Sequence, residues 1–230
     1  SQQNQTGYVG IYDWPESLGT CCVSECGIAV ACYDDATLDD CDSLGGEWTE
    51  GAFCDDITCG PVQWTIEEGG NGHWYQFRYD PDLPLFTELS AEAQAINAYL
   101  VTLTSEAEMQ FVLDLCYDND PLPDTPGIYD ANTGGFRLAG DGTNWQCVTG
   151  EDWTWSNWQA GYPDYVNPNT TYVHLNVDGQ FVNYSEVSAA FTTVIEWSDD
   201  CNGDGIVDYG QILDGTLLDE NCDGVPDICQ

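Results

Sequence analysis

Only two residues of this 230-residue chain, Arg78 and Arg137, carry a permanent positive charge, against 41 aspartates and glutamates, and there is no lysine. The formal charge of −39 works against any compact state through self-repulsion unless cations neutralise it. Bound calcium or a salty medium would both meet that need. The same imbalance excludes whole classes of function. Nucleic acid and anionic lipid are poor partners, because nothing here could replace phosphate counterions. Without lysine there is no Walker A phosphate site, no Schiff base and no isopeptide crosslink from this chain.

The C-terminal stretch supplies the cation sites that such a charge calls for. Asp200-Cys201-Asn202-Gly203-Asp204-Gly205-Ile206-Val207-Asp208 and Asp219-Glu220-Asn221-Cys222-Asp223-Gly224-Val225-Pro226-Asp227 both spell D-x-N-x-D-G-x-x-D, 19 residues apart in register. Side-chain oxygens at positions 1, 3, 5 and 9, a glycine at 6 and a free carbonyl at 7 suit a hard cation of six to eight ligands. The expected calcium ligands are Asp200, Asn202, Asp204, the Ile206 carbonyl and Asp208, then Asp219, Asn221, Asp223, the Val225 carbonyl and Asp227. Position 12 is glutamine in both loops, Gln211 and Gln230, where a sensor loop has a bidentate Glu. The expectation is a structural site working at roughly 10⁻⁴ to 10⁻³ M calcium, an extracellular level.

Twelve cysteines point to the same compartment, since they would staple loops in an oxidising space. No apolar run approaches the ~20 residues that span a bilayer. With no starting methionine, the expectation is a mature, secreted, soluble form whose signal has been removed. Seven of the cysteines fall in residues 21–60, as CC-x3-C-x5-C-x8-C-x12-C-x4-C. A segment that short needs its bridges for stability. Thr37-Leu38-Asp39-Asp40 offers a capped helical turn that Gly45-Gly46 would end. With Cys116 and Cys147 in the middle and Cys201, Cys222 and Cys229 at the end, parity requires a bridge between modules, an intermolecular bridge or a free thiol. A bond from the cysteine-rich module to the tail is expected, with Cys26 as its origin, and Cys116 and Cys147 could pair locally.

Residues 1–20 read as an extension whose stretch Gly7 to Trp14 is strand-like without a local partner. Residues 61–198 form the main domain, long enough for one sizeable core, and 199–230 the tail. Within the main domain, Gly72 to Tyr79 alternates like a strand, Phe86 to Leu100 has helical spacing, and Thr104 opens a second helix through Leu115. Beyond Pro121, short aromatic strands alternate with Gly and Asn turns up to Trp197.

The wording of this domain resembles the C-type lectin-like domain: Asn71-Gly72-His73-Trp74-Tyr75, Leu100-Val101-Thr102-Leu103-Thr104-Ser105-Glu106-Ala107-Glu108, Phe136-Arg137-Leu138-Ala139-Gly140, Trp145-Gln146-Cys147-Val148-Thr149-Gly150-Glu151, Trp155-Ser156-Asn157-Trp158 and Val194-Ile195-Glu196-Trp197. The resemblance implies an α+β fold, with two helices flanking small antiparallel sheets. Residues 21–60 resemble a cysteine-rich repeat of secreted bacterial surface proteins, and the tail resembles dockerin calcium loops. In sugar-binding lectin members two triplets and a nearby acid hold calcium. Here the first triplet reads Tyr162-Pro163-Asp164, the second falls at Asn183, and the nearby acid is missing from 169–175. Asp164 and Asn183 alone do not make a calcium cage. Of the aromatics in the long loop, Trp153, Trp155 and Trp158 read as core, and Tyr162 and Tyr165 as surface ligand-binding candidates.

Nothing signals catalysis: no Gly-x-Ser-x-Gly, no His-Glu-x-x-His, and two histidines, His73 and His174, in strand contexts. The expected function is a non-enzymatic extracellular structural subunit that assembles with copies of itself into a surface filament or sheath, its leader adding a strand to a neighbour's sheet. The alternative is a secreted carbohydrate-binding or adhesion module with glycans as partners.

Overall fold

The computed structural model describes residues 17–25, 28–50, 53–54, 59–79, 83–119, 130–138, 143–164, 171–185 and 192–230. The strand-like stretch expected at 7–14, Cys26 and Tyr165 lie outside the described residues.

Strands β1 (Gly19–Glu25), β2 (Ile28–Ala36) and β3 (Glu47–Glu50) form an antiparallel sheet in the order β2-β1-β3. Helix α1 (Leu38–Leu44) lies between β2 and β3. Its ends are those the residues dictate. Thr37 caps the start by accepting from the Asp40 N–H, and Gly45 ends it at φ 67°, a left-handed turn that costs glycine nothing. The buried apolar cluster here is Cys21, Ala36 and Cys41, with Val23 and Trp48 against it. With so little burial among the described residues, much of the stability falls to the bridges Cys21–Cys41, Cys22–Cys59 and Cys32–Cys54.

The second sheet holds β4 (Val62–Gln63), β5 (Trp74–Tyr79), β6 (Tyr99–Leu100), β7 (Ala131–Phe136), β8 (Gln146–Cys147), β9 (Tyr172–Leu175), β10 (Phe181–Tyr184) and β11 (Thr192–Trp197). Its path is β10-β9-β7-β11-β5-β4, with β6 on β11 and β8 on β7. All these pairings are antiparallel except β11 with β7. Helices α2 (Phe86–Gln94) and α3 (Glu106–Asn119) pack on it. The expected helix through Leu100 stops at Gln94. Asn97 adopts a left-handed backbone at φ 53°, and Tyr99 and Leu100 are drawn into pairing with β11.

Strand period sorts the core. Val194 faces a cluster with Tyr75, Val101, Val112, Val173 and Phe181. Its neighbours Ile195 and Trp197 face the opposite side, with Leu89, Ala93 and Leu100. Helix α3 buries Glu108, Met109, Val112 and Leu115, the spacing of one helical face. Trp153, Trp155 and Trp158 are partly buried against the first cluster. Cys116 and Cys147 are not bridged to each other, and burial pushes the Cys147 thiol up to about 11. No helix among the described residues is long and apolar enough to cross a membrane.

The tail does not stand apart. Helix α4 (Asp208–Leu213) inserts into the second cluster, where Val207 and Tyr209 are buried and Leu213 is partly so. The Tyr209 ring stacks on Trp197 at 4.2 Å between centroids and meets Trp74 edge-on at 5.9 Å. Cys201 bonds to Cys229, closing the two loops on each other. Cys222 is also disulfide-bonded.

Candidate functional site

In the tail, backbone N–H groups turn the acidic side chains inward. Asp200 accepts from Gly203 N at 2.8 Å and Asp204 N at 3.2 Å with one oxygen, and from Gly205 N at 2.8 Å with the other. Asn202 Oδ1 accepts from Asp204 N, and Asp204 Oδ1 from Ile206 N. The second loop repeats the pattern. Asp219 accepts from Asp223 N and Gly224 N, Asn221 Oδ1 from Asp223 N, and Asp223 Oδ1 from Val225 N. The position-9 acids sit differently: Asp208 Oδ2 accepts from Cys201 N at 2.8 Å and Asp227 Oδ1 from Glu220 N at 3.2 Å.

The glutamines at position 12 close over the oxygens of the loops. Gln230 Nε2 lies 3.0 Å from the Val225 carbonyl oxygen, 3.2 and 3.3 Å from the two Asp223 oxygens and 3.4 Å from Asn221 Oδ1. Four oxygens from positions 3, 5 and 7 thus converge on one neutral NH₂ group, whose partial positive charge stands where a cation would be. In the first loop, Gln211 Nε2 donates to Asp204 Oδ2 at 2.8 Å while its Oε1 accepts from Asn202. The Gln211 bond, with the Ile206 N–H, holds the Asp204 carboxyl below its ordinary range. All-oxygen donor sets of this kind fit a hard divalent ion. Turning each glutamine amide over would present its oxygen instead.

On the long loop, the structure brings Asp164 and Asn183 together, though not as two outward ligands. Asp164 N donates to Asn183 Oδ1 at 2.6 Å, and Asn183 Nδ2 donates to the Asp164 carbonyl at 3.1 Å. Asn183 is 2% exposed. Its amide is a brace for the turn, which contains a cis Tyr162–Pro163 bond. Tyr162 is half-buried beside that brace. It lies near Tyr184, which also lies near Asp130. Burial raises the carboxyl of Asp130 and, with the nearby carboxylate, the phenol of Tyr184. Asp130 and Tyr184 are the residues that sequence reasoning missed. Asp130 is distant in sequence and enters this face through the pairing of β7, β9 and β10. Beneath Tyr184 lies the ring of His174 at 4.9 Å, fully buried, where desolvation lowers its pKa to about 4.

His73 and two buried acids form a third polar cluster. His73 Nδ1 lies 2.6 Å from Glu196 Oε1, and Glu196 Oε2 accepts from Thr102 N. Glu108 accepts from Asn71, the Tyr75 hydroxyl, and both Thr104 N and Oγ1. Each acid is satisfied, so their burial is a structural arrangement of the kind expected for His73. Burial alone would lower the His73 pKa, but the Glu196 hydrogen bond and charge outweigh it and raise it.

No family model matches the chain. Among curated proteins it is 29% identical to asialoglycoprotein receptor 1 of Rattus norvegicus over 144 residues, covering 62% of this chain and 40% of the relative. It is 30% identical to that of Mus musculus over 145 residues, covering 62% and 41%. The chain thus spans about two-fifths of the length of these relatives. Among solved structures, human lithostathine superposes with a TM-score of 0.50 at 19% identity, covering 62% of this chain and 91% of that one. At that identity the match speaks for the fold alone. With its two helices on a mixed sheet and its disulfides, the chain has a mixed α+β fold matching the C-type lectin-like domain.

Proposed function

We propose that this chain is a non-catalytic extracellular carbohydrate-binding module, with its sugar site on the long-loop face and its tail braced by calcium. The observation that carries this reading is the C-type lectin-like fold together with the identity to proteins named as asialoglycoprotein receptors. Tyr162 and Tyr184 offer aromatic surface and hydroxyls, and Asp130 and Asp164 offer carboxylates that accept from sugar hydroxyls. A few fixed polar groups beside aromatic rings are the usual make-up of a small-ligand site. Because Asn183 is committed to the turn, sugar recognition here relies on direct hydrogen bonds, and calcium acts in the tail.

The self-assembling filament has less behind it. The strand that was to join neighbours lies outside the described residues, and the relatives are receptors by name. A glycan array probed with the full chain, with and without chelator, tests the proposal. We expect a signal that is lost in Tyr162→Ala and Asp164→Ala. An array on which the folded wild-type chain binds no glycan, or on which neither variant changes the signal, overturns it.

A further inference from the structure

The chain has four side chains that could offer a ligand positive charge, two arginines and two histidines, and all four are engaged within the fold. Arg78 pairs with Glu92 at 3.1 Å. Arg137 is 3% exposed, its guanidinium over the Trp145 ring at 5.2 Å. His73 Nδ1 lies on Glu196 at 2.6 Å. His174 is buried beneath Tyr184, where desolvation lowers its pKa to about 4 and keeps the ring neutral at physiological pH.

A carboxylate or sulfate on a sugar needs such a partner, best a guanidinium that it meets with two hydrogen bonds. On the long-loop face it would instead meet Asp130 and Asp164, within the field of a chain of formal charge −39. Acidic sugars are disfavoured there. The reverse holds for a cationic sugar. Asp130 stands just ahead of β7 and is brought beside Tyr184, at the end of β10, because both strands pair with β9. It is half-buried, and burial raises its carboxyl while the phenol of Tyr184 opposes this only in part. A sheltered carboxylate among tyrosine rings suits an ammonium group, which donates charge-assisted hydrogen bonds and is drawn to ring faces.

We propose, on the footing of the carbohydrate-binding reading, that this face selects amino sugars whose amine is free, with Asp130 receiving the ammonium and Tyr162 and Tyr184 taking the sugar ring. Neutral sugars bind the same face more weakly, through hydroxyls alone. Sugars bearing carboxylate or sulfate are turned away.

The test is calorimetric titration of the full disulfide-bonded chain, in calcium, with a β-1,4-linked glucosamine tetramer, its fully N-acetylated counterpart and sialyllactose. The amine form is expected to bind about tenfold more tightly than the acetylated form, an effect between that of an exposed ion pair and a fully desolvated one. Sialyllactose should give no heat of binding. In Asp130→Asn the preference should collapse to near parity, and in Asp130→Glu, which keeps the charge, it should return. Glu67→Gln, which removes an exposed acid from the turn at Ile66–Glu68, should keep the full preference. Equal affinity for the two tetramers overturns the proposal, as does a preference that survives in Asp130→Asn, which is what diffuse attraction to an acidic surface would give. If neither tetramer binds while another neutral glycan does, the amino-sugar assignment falls alone; if no glycan binds, the carbohydrate-binding reading falls with it.

Discussion

Replacing Tyr209 by alanine tests whether the tail is part of the lectin-like core. The ring is buried, stacked on Trp197 at 4.2 Å and edge-on to Trp74 at 5.9 Å, in a cluster that includes Leu89, Leu100 and Ile195. Truncating a buried aromatic costs about 3–5 kcal/mol through lost transfer energy and the cavity left behind. The lost ring pairings fall within the upper part of that range. For a chain of 150–250 residues, 1 kcal/mol corresponds to roughly 2–4 °C in Tm, so the expected fall is roughly 6 to 20 °C. Differential scanning calorimetry of the full chain in excess calcium should show one main transition moving down by that amount. Tyr209→Phe, which keeps the stack, should lose far less. The reasoning is refuted if the main transition stays put while a separate low-temperature transition appears, because the tail would then be melting as an independent module.

Gly224→Ala should weaken calcium binding at the second loop and destabilise the chain by more than about 1 kcal/mol. The position has φ 79°, and a Cβ there would lie 2.2 Å from the Ile96 carbonyl oxygen; calorimetric titration and urea midpoints read both effects, and a variant with unaltered affinity and midpoint would show that the loop is not seated on Ile96. The His73–Glu196 pair should make stability fall with rising pH. Because the folded pKa of His73 is raised above its ordinary 6.5, its contribution is complete below about pH 6.5 and is lost as pH climbs through the folded value. Urea midpoints between pH 6 and 9 should slope downward in the wild type and flatten in His73→Gln; equal slopes would remove the pair as the cause.

Local chemistry was legible where residues set their own conformation. Thr37 and Gly45 bracket α1 where their side chains and φ preferences require, and the strand at Gly72 to Tyr79 matches β5. The inward-turned oxygens of the tail follow the D-x-N-x-D-G spacing. Features decided by distant partners were not legible. Nothing within residues 86–100 signals that Leu100 leaves its helix to pair with Ile195. Helix α4 reads as the continuation of a calcium loop until Trp197 is placed beneath it. The long-loop face is another such feature. Asn183 turns inward to hold Asp164, and Asp130, just ahead of β7, comes to lie beside Tyr184.

Strand β11 carries a consequence for how the chain acquires its shape. It is the last strand in sequence, yet it is flanked by β7 and β5 and also takes β6, joining residue 197 to residue 74 and residue 192 to residue 131. Until it emerges, β4 and β5 have no route to the rest of the sheet, and α2 lacks Ile195 and Trp197 to cover. Contacts of such sequence separation close slowly, because the intervening chain must be ordered before they form. During synthesis the domain therefore stays open, with apolar strand edges exposed, until residue 197 has been made. The two acidic loops follow immediately after this strand. The segment that completes the sheet is thus succeeded within three residues by the one whose helix packs over it, so closure of the sheet and docking of the tail follow directly on one another.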